Sequence, residues 1–399
     1  METVKLGDVT EKIGSGATPR GGKNVYVSDG VALVRSQNVL DLEITLDGLA
    51  FIDDHAASKL AGVAVQDGDV LINITGDSTA RVSYWGLGLP ARVNQHVAIL
   101  RSDKTRLNSR WLQYWLVQQR VKSHLLVLAS AGGSRPALTK GMLASLEIPL
   151  PSLKQQVKVA EVLGSLDDKI AANNRVVSIS NELVRARYSA LPVSACSLRD
   201  IADLVRSSTP PHAFDPQKRL VGLEHFDSES LWLARSSTPD VATSAKNEFH
   251  AGDTLFGKLR PYFHKVAIAP FEGYCSTDVL VLRAKEQRLG PLVAAAANSD
   301  AVVQHAVNSS NGTRMPRAKW GDIETCQVPD PGDRRTAEFI RIADTLIQDA
   351  TARLEANATL ANTRDELLPL LMNGKISVRE AEQEATSAGA DIPSEEIEA

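Results

Sequence analysis

Few residues in this sequence of 399 have the type and spacing that catalysis requires. The nearest candidate for a phosphate-binding loop is Gly16-Ala-Thr-Pro-Arg-Gly-Gly-Lys23. It has one residue too many before its Gly-Lys pair, and Asn24 stands where Ser or Thr is required. Asp167 and Asp168 could form a metal pair, but neighbours on a helix point about 100° apart, which favours two solvated charges. We therefore expect no phosphate loop and no metal site.

Other catalytic signatures are missing from the sequence. It contains neither the His-Glu-x-x-His helix of metallopeptidases nor the Gly-x-Ser-x-Gly turn of hydrolases. The Gly-rich loop and the catalytic segment of a methyltransferase that uses S-adenosylmethionine are not found either. We therefore predict that the chain has no catalytic residues and is not itself an enzyme.

Cysteine usage and the N-terminal sequence indicate the compartment. Cys196, Cys275 and Cys326 are far apart and lack His or Cys at metal-ligand spacing, so neither a disulfide framework nor a zinc site is expected. The sequence has no signal-peptide pattern and no run of eighteen apolar residues. A soluble cytoplasmic protein without a membrane partner is the expectation.

Composition predicts a folded protein of two to three domains, with 43% hydrophobic and 23% charged residues. The net charge of -4 arises in residues 376–399, which carry seven acids and one base. The 43 basic and 41 acidic residues that remain leave +2, so charge neither identifies nor excludes a polyanionic partner. We expect residues 376–399 to form an acidic, disordered tail.

The chain repeats itself. Six segments recur in the same order at offsets between 179 and 192 residues, a collinearity that indicates tandem duplication. The matched segments are Val4–Glu11 with Cys196–Asp203, Thr18-Pro19 with Thr209-Pro210, Gly68–Leu71 with Gly252–Leu255, Val97–Arg101 with Val279–Arg283, Gly133–Arg135 with Gly312–Arg314, and Asn181–Val184 with Asp365–Leu368.

Each half begins with a mixed α/β unit. Short apolar runs at 31–35, 70–74 and 97–100 predict strands, and the spacing of apolar residues over 107–119 and 291–307 predicts helices. Prolines near 151 and 331 mark the ends of these units. The expected domains are 1–151 and 193–331, with spacer helices at 152–192 and 332–375.

The spacer helices carry apolar residues at alternating intervals of three and four, which is the seam of a coiled coil. A polar Asn on each seam, in corresponding positions, would fix the register. The predicted seam residues are Leu163, Leu166, Ile170, Asn173, Val177, Val184, Ile347, Leu354, Asn357 and Leu368. For a single helix, packing on its own domain is the alternative; two matching copies favour pairing with each other inside one chain.

Over residues 1 to about 375, the order of these elements and several phrases resemble the specificity subunits of type I restriction-modification systems. The phrases include Gly14-Ser-Gly-Ala-Thr-Pro19, Val34-Arg-Ser-Gln-Asn38, Asn94-Gln-His-Val97 and Leu163-Gly-Ser-Leu-Asp-Asp-Lys-Ile170. The second half departs from this pattern, with Cys275-Ser-Thr-Asp278 where the first has Asn-Gln-His.

The resemblance implies an α+β protein with two pseudo-repeated target-recognition domains and an antiparallel intramolecular coiled coil. Each domain would read one half of a bipartite DNA target, and the helices would set the gap and dock the partners. The implied partners are double-stranded DNA, two modification subunits that carry S-adenosylmethionine, and restriction subunits that translocate along DNA and cut it. No cofactor is expected in this chain.

If the chain reads bases, Arg or Lys suits guanine and Asn or Gln suits adenine. The candidate DNA contacts in the first half are Arg20, Lys23, Arg35, Gln37, Asn38, Asn73, Arg81, Asn94, Gln95, His96 and Arg135. Asn38 and Asn73 border predicted strands, where an Asn side chain often closes a turn instead.

In the second half, residues 256–265 interleave cations with aromatic residues, which makes this segment the strongest candidate for DNA contact. This is also the pattern of a hairpin with one charged and one buried aromatic face. Candidates for phosphate contacts lie outside this segment. The candidates in this half are Arg206, Arg235, Lys258, Arg260, Tyr262, Lys265, Arg314, Arg317 and Lys319.

Two alternatives remain open. The chain could be the specificity part of a related system in which methylation and cleavage share one partner chain. It could also be a coiled-coil adaptor that joins two protein-binding domains.

Overall fold

The structure is a computed structural model that describes residues 2–131, 136–310 and 315–392, with the side chain of Lys23 left undescribed. The chain divides into two compact units. Unit 1 consists of Met1–Ile170 and Thr359–Ala399, and unit 2 of Ala171–Ala358. Unit 1 is therefore discontinuous in sequence, because it takes part of each long helix.

Unit 1 contains two antiparallel-rich sheets and a short ribbon. Its strands are β1 (Glu2–Lys5), β2 (Thr10–Ser15), β3 (Tyr26–Val27), β4 (Val31–Val34), β5 (Ala50–Ile52), β6 (Ala64–Val65), β7 (Val70–Asn73), β8 (Val82–Tyr84), β9 (Ala91–Val93), β10 (Val97–Ser102) and β11 (Glu147–Leu150). The sheet orders are β2-β10-β7-β8 and β3-β5-β4-β9-β6, and β1 pairs with β11. Only β4 and β9 run parallel within these pairs.

The first four α-helices of unit 1 are short. They are α1 (Asp54–Lys59), α2 (Ser109–Val117), α3 (Gln119–Ser130) and α4 (Lys140–Ala144). Asn108 caps the second helix, because its side chain accepts a hydrogen bond from the backbone N–H of Trp111 at 2.9 Å. Next comes α5 (Leu153–Ser189), the first long helix, which continues into unit 2.

Unit 2 repeats the arrangement. Its strands are β12 (Ala202–Val205), β13 (Ser208–Thr209), β14 (Arg219–Val221), β15 (Lys246–Phe249), β16 (Thr254–Gly257), β17 (Val266–Ile268), β18 (Gly273–Cys275) and β19 (Val279–Ala284). Its helices are α6 (Leu198–Ile201), α7 (Gly290–Ala297), α8 (Asp300–Ser309) and α9 (Trp320–Ile323). The predicted helix at 291–307 is thus two helices. After them come α10 (Arg334–Met372) and α11 (Val378–Ser387), which lead back into unit 1.

The sheets confirm the duplication. The order β12-β19-β16-β17 in unit 2 matches β2-β10-β7-β8 in unit 1, strand for strand. The second sheet of unit 2, β13-β15-β18-β14, contains one parallel pair, β14 with β18, as the corresponding sheet of unit 1 does. The two halves therefore share the topology of the first sheet and the parallel pair of the second, whereas the second sheets differ at their edges, with five strands in unit 1 and four in unit 2.

The central strands read as continuous apolar runs because both of their faces are buried. Along β10, Ala98 and Leu100 face the core under the helices, whereas Val97 and Ile99 face the core between the two sheets. The corresponding strand β19 splits in the same way: Leu280 and Leu282 face the helices, and Val279 and Val281 face the other sheet. The sheet thus lies between helices and a second sheet in each unit.

The two long helices pack antiparallel, as predicted. In unit 2, Asn173 Nδ2 donates to Asn357 Oδ1 at 2.8 Å, and the ring of Tyr188 lies 5.8 Å from that of Phe339. In unit 1, Arg364 Nη1 contacts Asp167 Oδ1 at 2.7 Å. The partner numbers rise as those on α5 fall, which defines an antiparallel pair.

The predicted seam residues lie in these contacts. Leu163, Leu166 and Leu368 are buried in the unit 1 core, with Ile170 packed against it. Val177 and Val184 are buried in the unit 2 core, with Ile347 and Leu354 packed against it. The pairing of Asn173 with Asn357 is observed as the sequence predicts.

The expectation of a disordered tail is wrong for the part of it that the structure describes. Residues 378–387 form α11, and Ala381, Ala385 and Ala390 are buried in the unit 1 core. The side chain of Ser377 accepts from the N–H of Glu380, whose carboxylate accepts from Ser377 in return. This capping box and the buried alanines outweigh the acidic composition.

Within the described ranges, no helix is long and apolar enough to cross a membrane, and no group of acidic, His or Cys side chains could hold a metal ion. Cys196, Cys275 and Cys326 are free thiols. Burial raises the pKa of the Cys275 thiol to about 12, so this group stays protonated inside unit 2.

Candidate nucleic-acid interface

In each unit, three chain segments meet where the central strands end. In unit 1 the N–H of Ile74 donates to the carbonyl of His96, and that of Leu138 donates to the carbonyl of Ile74, both at 2.9 Å. In unit 2 the backbone N–H of Lys258 donates to the backbone carbonyl of Asp278 at 2.9 Å, and the N–H of Ala318 donates to the carbonyl of Lys258 at 3.0 Å. We call these places the unit 1 junction (residues 74–75, 94–96 and 137–138) and the unit 2 junction (258–259, 276–278 and 317–318). Their backbones are equivalent.

The unit 1 junction carries a chain of polar side chains. Thr18 Oγ1 donates to the side-chain amide oxygen of Gln95, Oε1, and Gln95 Nε2 lies 3.0 Å from His96 Nε2. On the other side of the ring, His96 Nδ1 lies 2.6 Å from Thr75 Oγ1. Gln95 is exposed and His96 is half-buried. This network can present both donors and acceptors to a ligand.

Gly16 places Thr18 against this network. A Cβ at position 16 would lie 1.8 Å from the carbonyl oxygen of Val93, so only glycine fits there. The N–H of Gly16 donates to the carbonyl of Val97, and the N–H of Ala17 donates to the carbonyl of Val93. These bonds hold the loop across the ends of β9 and β10. The Gly-Ala-Thr-Pro phrase is thus a scaffold that supports the polar chain.

Asn38 and Asn73 are corrections to the candidate set. Both side chains are completely buried. Asn38 Nδ2 donates to the carbonyls of Thr45 and Asp47 at 3.2 Å each, and its Oδ1 accepts from the N–H of Arg35. Asn73 Nδ2 donates to the carbonyl of Ser36 at 2.9 Å. Asn38 thus closes a turn, the alternative that the sequence left open, whereas Asn73 holds the distant segment around Ser36 and Val39 against the end of β7. Neither amide has an exposed polar atom to offer to DNA.

Asn94 is also part of the scaffold. It is buried, and its Oδ1 accepts from the N–H of His96 at 3.0 Å. In unit 2, Ser276 makes the corresponding bond to the N–H of Asp278 at 3.2 Å. Asn94 therefore shapes the turn that presents Gln95 and His96.

The remaining candidates of unit 1 differ in availability. Arg20 and Arg81 are exposed, and the carbonyl of Arg81 receives the N–H of Asn73 across the β7–β8 hairpin. Arg35 is half-buried and donates to the carbonyl of Gly48 at 2.5 Å, whereas the exposed Gln37 reaches that carbonyl only at 3.5 Å. Arg135 and the side chain of Lys23 lie outside the described part of the chain.

In unit 2, residues 258–265 form the loop between β16 and β17 instead of a regular hairpin with alternating faces. Arg260 and His264 both adopt the left-handed conformation, at φ 51° and 49°, around a short 3₁₀ turn. His264 is buried, and its Nε2 lies 2.9 Å from the carbonyl of Asn298. This double bend turns the rings of Tyr262 and Phe263 outward, where they lie 4.8 Å apart and half-exposed. Of the three aromatic residues in 256–265, only Phe256 is buried.

One cation lies near these rings, and two more belong to the same loop or to the neighbouring junction segment. Lys265 Nζ lies 5.9 Å from the ring of Phe263 and donates to the carbonyl of Leu223 at 2.7 Å. Arg317 Nε donates to Asp278 Oδ1 at 2.9 Å, a bond that raises the pKa of its guanidinium. Arg260 is half-buried, and among the described residues its buried Nε finds no hydrogen-bond partner. Aromatic faces beside cations suit stacking on bases together with phosphate contact.

Of the other candidates of unit 2, Lys258 is the first residue of this loop, whereas Arg206, Arg235 and Lys319 lie outside it in sequence. Arg206 and Lys319 are exposed, and Lys258 is half-buried. Arg235 is exposed and paired with Asp227. Arg314 lies outside the described residues.

The structure adds residues that the sequence did not single out. The ring of Phe263 lies beside that of Tyr262 at an angle of 54°, and Asp278 accepts a hydrogen bond from Arg317. Asp278 occupies the position of His96 in the repeat, so the alignment of the two halves contained the signal. The conformation of Arg260 and His264 had no signal in residue type.

Comparisons with known proteins agree with this architecture. Residues 1–179 match the family described as type I restriction modification DNA specificity domain. The chain is 23% identical over 317 residues to the type I restriction enzyme EcoDI specificity subunit of Escherichia coli, covering 67% of this chain and 70% of that one. It is also 23% identical over 185 residues to the putative type I restriction enzyme MjaX specificity subunit of Methanocaldococcus jannaschii, covering 45% and 43% of the two chains.

A solved structure has a similar fold. The crystal structure of the type I restriction-modification system S subunit from M. genitalium superposes with a TM-score of 0.58 at 13% identity, covering 93% of this chain and 95% of that one. All three of these proteins are named specificity or S subunits, which confirms the expectation that the chain is a recognition protein and not the enzyme. The first 179 residues thus match the type I restriction modification DNA specificity domain, and over 67% of its length the chain is similar to a type I restriction enzyme specificity subunit.

Proposed function

We propose that the chain is a specificity subunit in which each unit reads one half of a bipartite DNA sequence. The observation that carries the proposal is the pair of junctions: one backbone arrangement occurs twice, with different side chains at equivalent positions. His96 in unit 1 corresponds to Asp278 in unit 2, and Thr75 corresponds to Leu259. A repeated scaffold with altered polar groups suits two readers of different base sequences.

The proposal assigns base reading to different chemistry in the two units. Gln95, an exposed amide, suits adenine in the half-site of unit 1. Arg260, beside the exposed rings of Tyr262 and Phe263, suits guanine in the half-site of unit 2. The exposed cations Arg20, Arg206 and Lys319 serve phosphates and contribute affinity without sequence preference.

The long helices would set the gap between the half-sites. Both α5 and α10 contribute residues to unit 1 and to unit 2. A helix of 37 residues, the length of α5, extends about 55 Å at 1.5 Å per residue, more than one DNA turn of about 34 to 36 Å. Insertion of whole helical turns should therefore lengthen the recognised gap.

The proposed partners are two modification subunits, which would carry S-adenosylmethionine, and restriction subunits. The duplication supports two modification subunits, because a chain with two similar halves can present two similar docking surfaces. Methyl transfer and cleavage would then take place on the partners.

The decisive experiment combines the purified chain with its cognate modification subunits and maps methylated bases on genomic DNA. A motif with two short specified parts and a fixed unspecified gap is the expected result. Insertion of seven residues into both helices, at matched positions, is the control for the spacing role and should change the gap alone. Absence of methylation together with absence of DNA retention would contradict the proposal.

A further inference from the structure

A cavity of about 270 Å³ lies within unit 2. Its walls come mainly from residues 184–193 at the end of α5 and after it, from residues 295–301 where α7 meets α8, and from residues 327–329 beyond α9. None of the described residues that line it belongs to the unit 2 junction. A ligand in this cavity would therefore be separate from the proposed DNA contacts.

Asn298, which lines the cavity between α7 and α8, has a buried amide without a partner. The residue is 1% exposed, and neither its Nδ2 nor its Oδ1 finds a hydrogen-bond partner. In the part of the chain that the structure describes, it is the one buried side chain that leaves two polar atoms unpaired. Burial of an unpaired polar group destabilises a fold, so its presence here requires a reason outside folding.

The backbone of Asn298 is engaged on both sides. Its N–H donates to the carbonyl of Ala294 at 2.9 Å, and its own carbonyl lies 2.9 Å from His264 Nε2. Neither Ala294 nor His264 lines the cavity, so the side chain is the part of Asn298 that faces it. The amide brings a donor and an acceptor side by side to the cavity wall.

The fold does not require an amide at this position. At the offset of 182 residues that relates β10 to β19, Asn298 corresponds to Leu116 near the end of α2. Leu116 is completely buried in the core of unit 1. A leucine therefore satisfies the same helix end in one unit, and the asparagine of the other unit serves a different purpose.

The charged side chains of the cavity are already paired with each other. Arg185 and Asp300 are the charged residues among its described lining residues, and Arg185 Nη2 contacts Asp300 Oδ1 at 3.0 Å. Arg185 Nη1 also contacts Glu229 Oε2 at 2.7 Å. Burial raises the pKa of the Tyr188 hydroxyl, which therefore stays protonated. The cavity thus suits a neutral ligand and not a phosphate or a carboxylate.

The remaining walls are aromatic and apolar. The Tyr188 ring is held by an edge contact with Phe339, with 5.8 Å between the ring centroids, and Leu191 and Leu231 also line the cavity. A dry apolar cavity of about 150 Å³ holds a benzene ring. A volume of about 270 Å³ therefore suits a flat heterocycle of two fused rings.

We propose that this cavity binds the base of an adenine compound and that the amide of Asn298 reads it. An asparagine amide pairs with two neighbouring groups of adenine: its oxygen accepts from the exocyclic amino group, and its nitrogen donates to the adjacent ring nitrogen. Hypoxanthine and guanine carry a carbonyl oxygen in place of that amino group, which would face the amide oxygen and leave it unpaired. The site therefore selects adenine, independently of the proposed DNA reading.

The test measures binding of radiolabelled adenine to the full chain by equilibrium dialysis, with hypoxanthine as the matched ligand. We expect saturable binding of adenine and at least tenfold weaker binding of hypoxanthine, because a site built to accept from an amino group rejects a ring that lacks it. Absence of saturable binding up to the solubility limit of adenine would overturn the proposal, since water alone would then satisfy the amide. Equal binding of the two bases would overturn it as well.

Two variants locate the site. Asn298→Leu introduces the residue found in unit 1 and removes both polar groups, so it should weaken adenine binding at least tenfold without lowering the thermal stability of the chain. Asn308→Leu, at an exposed asparagine of α8 outside the cavity, is the matched control and should leave binding unchanged.

The second variant, Ala301→Trp, fills the cavity from its rim at an exposed position and changes no buried residue. It should abolish adenine binding, and it tests the site even where Asn298→Leu does not fold. Circular dichroism checks the fold of each variant. Adenine binding that is unchanged in folded Asn298→Leu or in Ala301→Trp would overturn the proposal.

Discussion

Units 1 and 2 share their internal bonds and differ at their surfaces. In each, an Asp after a left-handed glycine forms a two-point ion pair with an Arg on the central strand: Asp69 with Arg101, and Asp253 with Arg283. The same carboxylates accept a backbone N–H from three residues earlier, at 2.8 Å in both. The bonds that hold the strands in place are thus repeated almost atom for atom.

The difference lies at the ends of those strands. The chain from Thr18 through Gln95 and His96 to Thr75 is replaced in unit 2 by a bent loop with Tyr262 and Phe263 outside and an Asp278–Arg317 pair. The same backbone hydrogen bonds are therefore compatible with different polar side chains at the ends of the strands. The comparison teaches that the scaffold and the recognition chemistry can change independently.

The starts of the long helices differ as well. Gln156, buried at the start of α5, donates to the carbonyls of Arg106 and Pro151 and accepts from the N–H of Asn108. Near the start of α10, Thr336 is buried, and its hydroxyl has no hydrogen-bond partner among the described residues. Thr336 therefore makes no side-chain hydrogen bond like those of Gln156, and the side-chain bonds at the start of α10 come from Asp333, which accepts from the N–H of Arg335 and of Thr336.

The largest expected effect compares the two ion pairs. Asp69→Ala should destabilise unit 1 by about 3 to 5 kcal/mol, because it leaves a nearly buried guanidinium uncompensated. Asp253→Ala should cost less, since Arg283 is 40% exposed and Arg101 only 16%. Urea unfolding measures both. Asp77→Ala, at an exposed carboxylate of unit 1, is the control and should change stability by about 0.5 kcal/mol or less. If Asp253→Ala destabilises the chain as much as Asp69→Ala does, or more, the two ion pairs do not differ in the way that their exposure predicts.

The next effect concerns the amide pair of the helices. Asn173→Ala leaves Asn357 with an unsatisfied buried oxygen, at a cost of about 1 to 3 kcal/mol. The double variant with Asn357→Ala should cost less than the sum of the two single changes, because it removes both partners. Thermal unfolding of the four proteins provides the cycle, and strict additivity would show that the pair is not coupled.

Base reading should separate the units. Arg260→Ala should weaken binding by about 1 to 3 kcal/mol and relax preference in one half-site only, and Gln95→Ala should relax the other. Competition binding with duplexes randomised in either half measures this. Lys319→Ala is the matched control, which should weaken all sequences alike and reduce the salt dependence by about one counterion. Relaxation of the same half-site by both changes would contradict separate readers.

The smallest effect concerns the cap of α11, which unit 2 lacks. Ser377→Ala should destabilise this helix by about 1 kcal/mol and speed its amide exchange, with α3 as the internal reference. Hydrogen bonds from Ser377 lower the pKa of Glu380 below its ordinary 4.5. The stabilisation is therefore present above pH 4.5 and lost as the pH falls through the lowered value. If the amide exchange of α11 is as slow in Ser377→Ala as in the unchanged chain, and as slow at acid pH as at neutral pH, the cap is not needed.

Much of the fold could be predicted from periodicity. Strands buried on both faces are continuous apolar runs, and the seam with Asn173 and Asn357 is visible as two matching heptad patterns. These features could be predicted because local spacing and repetition determine them.

Other features depend on contacts that no local pattern shows. An asparagine at 38 or 73 has the same type whether it faces DNA or bonds to the backbone of another segment, and only the chain around Thr45 and Ser36 decides. The tail has a disordered composition, yet alanines at 381 and 385 find a core to enter. The DNA-contact candidates at exposed positions stay predictions.

The division of unit 1 into two stretches of sequence has a consequence for synthesis on the ribosome. Its helix pair closes only when residues 359–372 join residues 153–170, after all of unit 2 has been made. At about 5 to 20 residues per second, this interval lasts on the order of ten seconds or more. During that time the apolar side of the first long helix awaits its partner. The nascent chain is therefore most exposed to misfolding, and to chaperones, while its second half emerges.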